Sequence, residues 1–265
     1  MSAAMYEEAL DRSVTGSESG DTVCVERRGA VALLRFNRPE RLNALDLDTS
    51  RRCRAFFRAA ADDDEIRVVV VTGTGERAFC AGFDVKTVPE GAFERWDVSV
   101  GGLTKDIHFP KPVIAAVNGL AFGGGFEVML ACDLRLAVPS ARFAFPEVRL
   151  GLMAGGGGTV RLPDNLPWAI AAEMLLRGRV LEADEALRFG LVNAIVPPEE
   201  LLDAAWGWAD EIAAFSPPAL HATKESMRRA HGISIDDALQ FEEGFSRLLQ
   251  MSDDARRTVE AFLAR

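Results

Sequence analysis

Three consecutive glycines, Gly123, Gly124 and Gly125, stand between an apolar strand and a helix that carries a single carboxylate, in the segment Ala121-Phe122-Gly123-Gly124-Gly125-Phe126-Glu127. This junction narrows what the chain can fold into more than any other feature. A backbone without Cβ atoms can approach a ligand or another backbone closely and can take conformations closed to other residues. An amide exposed there, at a helix start, can hold a developing negative charge. Glu127, in the first helical turn, is either placed for proton chemistry or is a simple capping carboxylate. A second glycine turn, Phe79-Cys80-Ala81-Gly82-Phe83-Asp84, lies upstream. A second isolated carboxylate, Glu147, lies downstream in Phe145-Pro146-Glu147, where an ordinary surface glutamate is an equal reading. Two amide-donor turns and two carboxylates together suit enolate chemistry.

The surrounding pattern predicts an α/β fold. Thr22–Arg27 and Ala30–Phe36 alternate apolar and polar residues and read as a hairpin. Leu45–Ala61 has helical spacing. Ile66–Val71 reads as a strand buried on both faces, and Pro112–Val117 as a similar one ending at Asn118-Gly119. Helix Phe126–Cys132 leads to a short strand, Leu134–Val138. Strands and helices thus alternate through the first two thirds. Beyond about residue 165 helices take over: Trp168–Arg177, Ala183–Phe189, Leu201–Phe215, Pro217–Ala230, Ile235–Leu249 and Asp253–Leu263. Ser216-Pro217-Pro218 is a helix-start signal within that run. The expected organisation is a leader over 1–21 without stable structure, an α/β core over 22–200, and a helical region over 201–265 that packs on the core or on other subunits.

Composition removes several functions. The 265 residues carry a net charge of −10, which argues against a nucleic-acid surface. Hydrophobic residues make up 48%, enough for a large core, yet no apolar run is long enough to span a bilayer. Cys24, Cys53, Cys80 and Cys132 are scattered and do not cluster with His108, His221 or His231, so reduced thiols are expected and a metal site is not. The N-terminus resembles neither a signal nor a transit peptide. These readings place the protein in the cytoplasm. Gly73-Thr74-Gly75-Glu76-Arg77-Ala78 fits a dinucleotide-binding fingerprint, but Gly82 interrupts the long helix such a motif should open. A glycine-rich loop after a buried strand is the reading taken.

Taken together, several segments resemble the crotonase superfamily, which includes the enoyl-CoA hydratases and isomerases. They are Asn37-Arg38-Pro39 with Leu42-Asn43-Ala44-Leu45; Ala78–Lys86; Lys111–Gly119; the Gly123–Glu127 turn; Phe145-Pro146-Glu147 through Gly151; and Gly157-Gly158-Thr159. The tail Val259-Glu260-Ala261-Phe262 matches too. Within the superfamily, the Ala121–Glu127 stretch, Arg161-Leu162-Pro163 and an aromatic at Phe83 resemble the carnitinyl-CoA dehydratase subgroup. The resemblance implies a spiral of repeated β-β-α units with a C-terminal helical region, assembled as a homotrimer or homohexamer.

It also implies an acyl-CoA substrate whose thioester oxygen sits between the amides of Phe83 and Gly124, with Glu127 and Glu147 handling the proton and the water. No cofactor is expected beyond the coenzyme A of the substrate. Glu127, near a helix N-terminus, is expected to be the resting base, and Glu147, among Phe143, Phe145, Val148 and Leu150, the resting acid. The resemblance places CoA along Arg41, Leu42 and Ala44, with Ala81, Gly82, Asp84, Val85, Lys86 and Gly123 beside them. Arg41 and Lys86 are phosphate partners or else solvated surface charge. Gly155 closes on the acyl group or is a flexible loop, and Phe93 and Trp96 line an acyl pocket or are core. Phe262 and Arg265 are placed to reach CoA in a neighbouring subunit. The activity implied is a hydratase-type lyase. The alternatives are a double-bond isomerase and a nonenzymatic acyl-CoA binder.

Overall fold

A computed structural model describes residues 21–84, 99–105 and 108–264. The expected leader, apart from Asp21, and the expected site residues Val85, Lys86, Phe93, Trp96 and Arg265 lie outside the described residues.

The hairpin forms as the alternation predicts. Strands β1 (Val23–Arg28) and β2 (Val31–Phe36) pair antiparallel across a two-residue turn in which Gly29 has φ +57°. Helix α1 (Leu47–Asp62) follows, and the Asp46 carboxylate caps it by accepting from the Thr49 amide at 2.8 Å. Its buried face carries Cys53, Phe56, Phe57 and Ala60. Strand β3 (Val68–Gly73) is buried along its whole length, as a β-branched run in a parallel sheet should be. The chain then runs through β4 (Ala78–Cys80), β5 (Val113–Val117), β6 (Leu120–Phe122), α2 (Gly124–Ala131), β7 (Leu134–Ala137) and β8 (Arg142–Ala144). Next come α3 (Gly158–Asn165), α4 (Trp168–Arg177), β9 (Leu181–Glu182), α5 (Ala183–Arg188) and β10 (Ala194–Ile195). The tail is helical: α6 (Leu201–Ala213), α7 (Pro217–Ala230), α8 (Ile235–Gln250) and α9 (Asp253–Leu263).

Among the described residues the strands form two sheets. One runs β1-β2-β3-β5-β7-β10 and is parallel beyond the first hairpin; the smaller runs β4-β6-β8-β9. Three successive turns of the chain place a longer strand in the first sheet and a short one in the second: β3-β4, β5-β6-α2 and β7-β8-α3. This is the spiral of β-β-α units. The short strands of the second sheet are two or three residues long and carry no alternation of their own, so the sequence shows the first sheet and hides the second. Helix α2 begins at Gly124, two residues before the first apolar position of its pattern, and α3 forms despite an internal proline, Pro163. Pro163 sits in the second turn, where it forfeits one hydrogen bond without breaking so short a helix.

Candidate active site

The first amide turn is built by two buried asparagines. Asn118, at the end of β5, accepts from the Gly73 amide at 3.1 Å and donates to the carbonyls of Gly75 (2.6 Å) and Ala78 (3.1 Å). Asn43 donates to the carbonyls of Thr74 (3.0 Å) and Ala78 (2.7 Å) and accepts from the Arg38 amide at 3.0 Å. Between them they hold the Gly73–Ala78 loop, which opens a strand and not a helix, so the dinucleotide fingerprint has no helix N-terminus behind it.

Leaving β4, the chain pairs with the turn that precedes α1. The Ala81 amide donates to Leu42 (3.0 Å), the Leu45 amide to Gly82 (2.8 Å), and the Asp84 amide to Leu45 (2.8 Å). This is a parallel bridge between Leu45 and Phe83. It uses the groups flanking Phe83, which turns the Phe83 amide itself to the opposite side. Leu42 and Asn43 stand in the left-handed region, at φ 53° and 57°, to make the crossing. For leucine this is a strained conformation, held here by the hydrogen bonds on either side. The Asp84 carboxylate lies against the Arg38 guanidinium at 3.0 Å, and Arg38 also donates to the Ala44 carbonyl at 2.7 Å. Asp84 therefore ties the two turns together. Leu42, Ala44, Ala81 and Gly82, nominated together as CoA contacts, are brought side by side, with Arg41 exposed at the edge.

The second amide turn packs directly on the first. Gly123 sits at φ 52°, ψ −127°, a conformation open only to glycine, and Gly124 begins α2. A Cβ on Gly82 would lie 2.8 Å from the Phe122 carbonyl and 3.2 Å from the Gly124 amide nitrogen; a Cβ on Gly124 would lie 3.7 Å from the Phe83 amide nitrogen. The glycines thus permit backbone-to-backbone contact, and it sets the amides of Phe83 and Gly124 next to one another. As the first helical residue, Gly124 has no acceptor for its amide within the helix.

Glu147 reaches this junction, and Glu127 lies close enough for its charge to act on Glu147. A Cβ on Gly123 would stand 3.0 Å from Glu147 Oε1. Glu147 opens a turn of 3-10 helix, Glu147–Leu150, and among the described residues its buried Oε2 has no hydrogen-bond partner. Burial pushes its pKa up to about 7, with the Glu127 charge adding to the rise. Glu127 is 3% exposed. Burial raises its pKa too, against which the amides of Gly158 and Gly156 and the charges of Lys105 and Arg161 act in the opposite direction. Both amides donate to Oε1, at 2.6 Å from Gly156 and 2.9 Å from Gly158. This corrects the expectation that the helix N-terminus ionises Glu127. Its own amide is already bonded inside α2, to Gly123 at 3.0 Å, and the anion is supported by the glycine loop of another element.

Gly155 itself is exposed, and a Cβ there would meet only the Met153 carbonyl, at 3.7 Å; the loop's contacts to Glu127 come from its neighbours. Phe262, near the end of α9, is 73% exposed. Among the described residues no three His, Cys, Asp or Glu side chains gather as metal ligands. Asn43, Asn118, Gly158 and Arg161 carry much of the geometry, yet each stood in the sequence only as part of a longer motif. Nothing local distinguishes an asparagine that staples a loop from one that ends a strand.

Two adjacent main-chain amides beside a pair of interacting carboxylates, one of them buried, suit an enzyme that polarises a carbonyl and moves protons beside it. The sequence profile of the enoyl-CoA hydratase/isomerase family matches residues 26–265, and the chain belongs to that family. It is similar to the carnitinyl-CoA dehydratase of Proteus mirabilis (strain HI4320), 45% identical over 213 residues that span 79% of this chain and 81% of the relative. The carnitinyl-CoA dehydratase of Escherichia coli (strain K12) is 40% identical over 224 residues, 83% of this chain and 85% of the relative. The enoyl-CoA hydratase of Mycobacterium tuberculosis H37Rv superposes with a TM-score of 0.84 at 38% identity, covering 92% of this chain and 96% of that one. A Geobacillus kaustophilus HTA426 structure described as an enoyl-CoA hydratase subunit gives 0.86 at 36% identity, over 93% and 96%. The protein is an enzyme of the hydratase/dehydratase lyase type, with a CoA thioester as its substrate.

Proposed function

We propose that the protein catalyses reversible addition and elimination of water on a 2-enoyl-CoA, with a carnitinyl-type acyl group as the preferred substrate. In the hydration direction, Glu127 takes a proton from water as the water oxygen bonds to C3. The electrons of the double bond move onto the thioester oxygen, where the amides of Phe83 and Gly124 hold the enolate charge. Glu147 then delivers its proton to C2. Elimination runs the same steps backward. One such donor is typically worth about 10²–10³ in rate.

The observation that carries this reading is the backbone contact that sets the Phe83 and Gly124 amides side by side, with Glu147 Oε1 against Gly123. The pKa of about 7 at Glu147 supports reversibility, because both of its protonation states are then populated near neutrality. Arg41, Leu42, Ala44, Ala81, Gly82 and Gly123 are proposed to line the CoA path, and the reaction needs no cofactor because two carboxylates perform both proton transfers. The carnitinyl acyl group rests on the names of the relatives. Four free cysteines fit a reducing cytoplasm. Exposed apolar residues on α8 and α9, among them Ile235, Leu248, Phe262 and Leu263, support assembly into a homotrimer or homohexamer.

The test is turnover of crotonyl-CoA, crotonobetainyl-CoA and a 3-enoyl-CoA by the wild type, Glu127→Gln and Glu147→Gln. Water addition to the first two, lost in both variants, is expected. Double-bond migration without net hydration would replace the lyase reading by an isomerase. Binding of CoA thioesters with no turnover would overturn catalysis altogether.

A further inference from the structure

One charged side chain grips the loop that holds Glu127 and is not itself among the groups that meet the thioester. The Arg161 guanidinium donates to the Gly156 carbonyl at 3.3 Å and to the Thr104 carbonyl at 2.9 Å. Three successive peptide units are involved. The unit ending at the Gly156 amide faces Glu127, the next presents the Gly156 carbonyl to Arg161, and the third returns the Gly158 amide to Glu127. The glycine loop is thus clasped from both sides, by a carboxylate and by a guanidinium. Gly157, at φ 110°, allows this reversal, and a Cβ there would collide with the Arg161 guanidinium. The second anchor is firm. Thr104 is buried, and Ser99 Oγ both contacts Thr104 Oγ1 at 3.3 Å and accepts from the Lys105 amide at 2.8 Å. The same short segment carries Val100, whose side chain lies over Gly124.

We propose that Arg161 is a positioning residue for Glu127: it fixes the middle peptide of the Gly155–Gly158 loop against the Ser99–Lys105 segment, so that two amides stay on one carboxylate oxygen and leave the other to act on water. This rests on the reading of Glu127 as the base. The charged and titratable groups that act on Glu127 among the described residues are Lys105, Arg161 and Glu147, two cations against one carboxyl. Removing Arg161 loosens the amides and deletes one of the cations, and both changes favour protonated Glu127. A lysine keeps the charge but lacks the planar fork that spans two carbonyls.

The experiment compares Arg161→Met and Arg161→Lys with the wild type. The readouts are the pH dependence of kcat and KM for hydration and a carboxylate infrared titration of ¹³C-Glu-labelled protein, in which Glu127→Gln identifies the Glu127 band. For Arg161→Met the expected result is kcat at neutral pH lowered about tenfold or more, KM changed little, and the acidic limb and the infrared titration both moved up by about one pH unit. Arg161→Lys should recover part of the pH shift and less of kcat. An acidic limb and infrared titration unmoved in a folded Arg161→Met would overturn the proposal. Should that variant not fold, an Arg161→Lys with wild-type kcat and pH profile overturns it equally. If the wild type turned over no acyl-CoA, the proposed function would fall, while the infrared titration would still decide the role of Arg161.

Discussion

Placing a methyl group on Gly156 tests the link between the glycine loop and catalysis at a single atom. Gly156 has no positive φ, so alanine fits its backbone. The added Cβ would instead run into the Glu127 carboxylate, 2.8 Å from Cδ and 3.3 Å from Oε1. The carboxylate is buried and held at Oε1 by two amides, so it cannot swing aside without giving up the 2.6 Å bond from Gly156. A hydrogen bond to a charged group is worth about 1.5–3 kcal/mol. If that stabilisation is lost from the transition state, kcat falls by roughly 10- to 100-fold. KM should change little, because the Phe83 and Gly124 amides and the Leu42–Ala81 pairing are untouched. The matched control is Gly155→Ala, one residue earlier, whose Cβ meets only the Met153 carbonyl at 3.7 Å. Steady-state hydration kinetics on both variants, with circular dichroism to confirm folding, make the assay. A folded Gly156→Ala with kcat within twofold of its Gly155→Ala control would refute the argument that loop contact governs Glu127.

Two further outcomes are expected. Glu147 is a carboxylate whose folded pKa is raised, so its stability contribution is complete below its ordinary value and is lost as pH rises through about 7; thermal midpoints followed from pH 4.5 to 8 should fall more for the wild type than for Glu147→Gln, and wild-type hydration, which in the proposed mechanism uses the protonated form, should decline above pH 7. Arg135 lies buried behind α2 and donates to the carbonyls of Met129, Leu130, Cys132 and Leu191 and to Asn165 Oδ1; Arg135→Ala strands the first three at the C-terminal end of α2 together with Leu191 and Asn165, and should cost about 3 kcal/mol or more, read as a fall in the chemical-denaturation midpoint.

Much of the architecture is legible because it follows from local periodicity. The Val68–Val71 run can only be a buried strand, the spacing in Leu47–Asp62 can only bury one helical face, and the prolines and serines before the late helices mark their starts. The two glycine turns and both carboxylates are visible as residues, but each alone also has a plain structural reading, and only their joint resemblance to a family's motifs gives them chemistry. The strands β4, β6, β8 and β9 are not visible. They are too short to show a period; β4, β6 and β8 each follow a longer strand of the first sheet, and β9 follows α4 and pairs antiparallel with β8.

The sequence by itself determined the inventory: an α/β core, a helical tail, two glycine turns and carboxylates at Glu127 and Glu147. Tertiary structure alone decided how these groups behave. Glu127 draws its support from Gly156 and Gly158, about thirty residues away in the chain, and Glu147 draws its raised pKa from burial, with the charge of Glu127 adding to it. Desolvation and hydrogen bonding depend on what the folded chain brings near, and that proximity is written in no local stretch of residues.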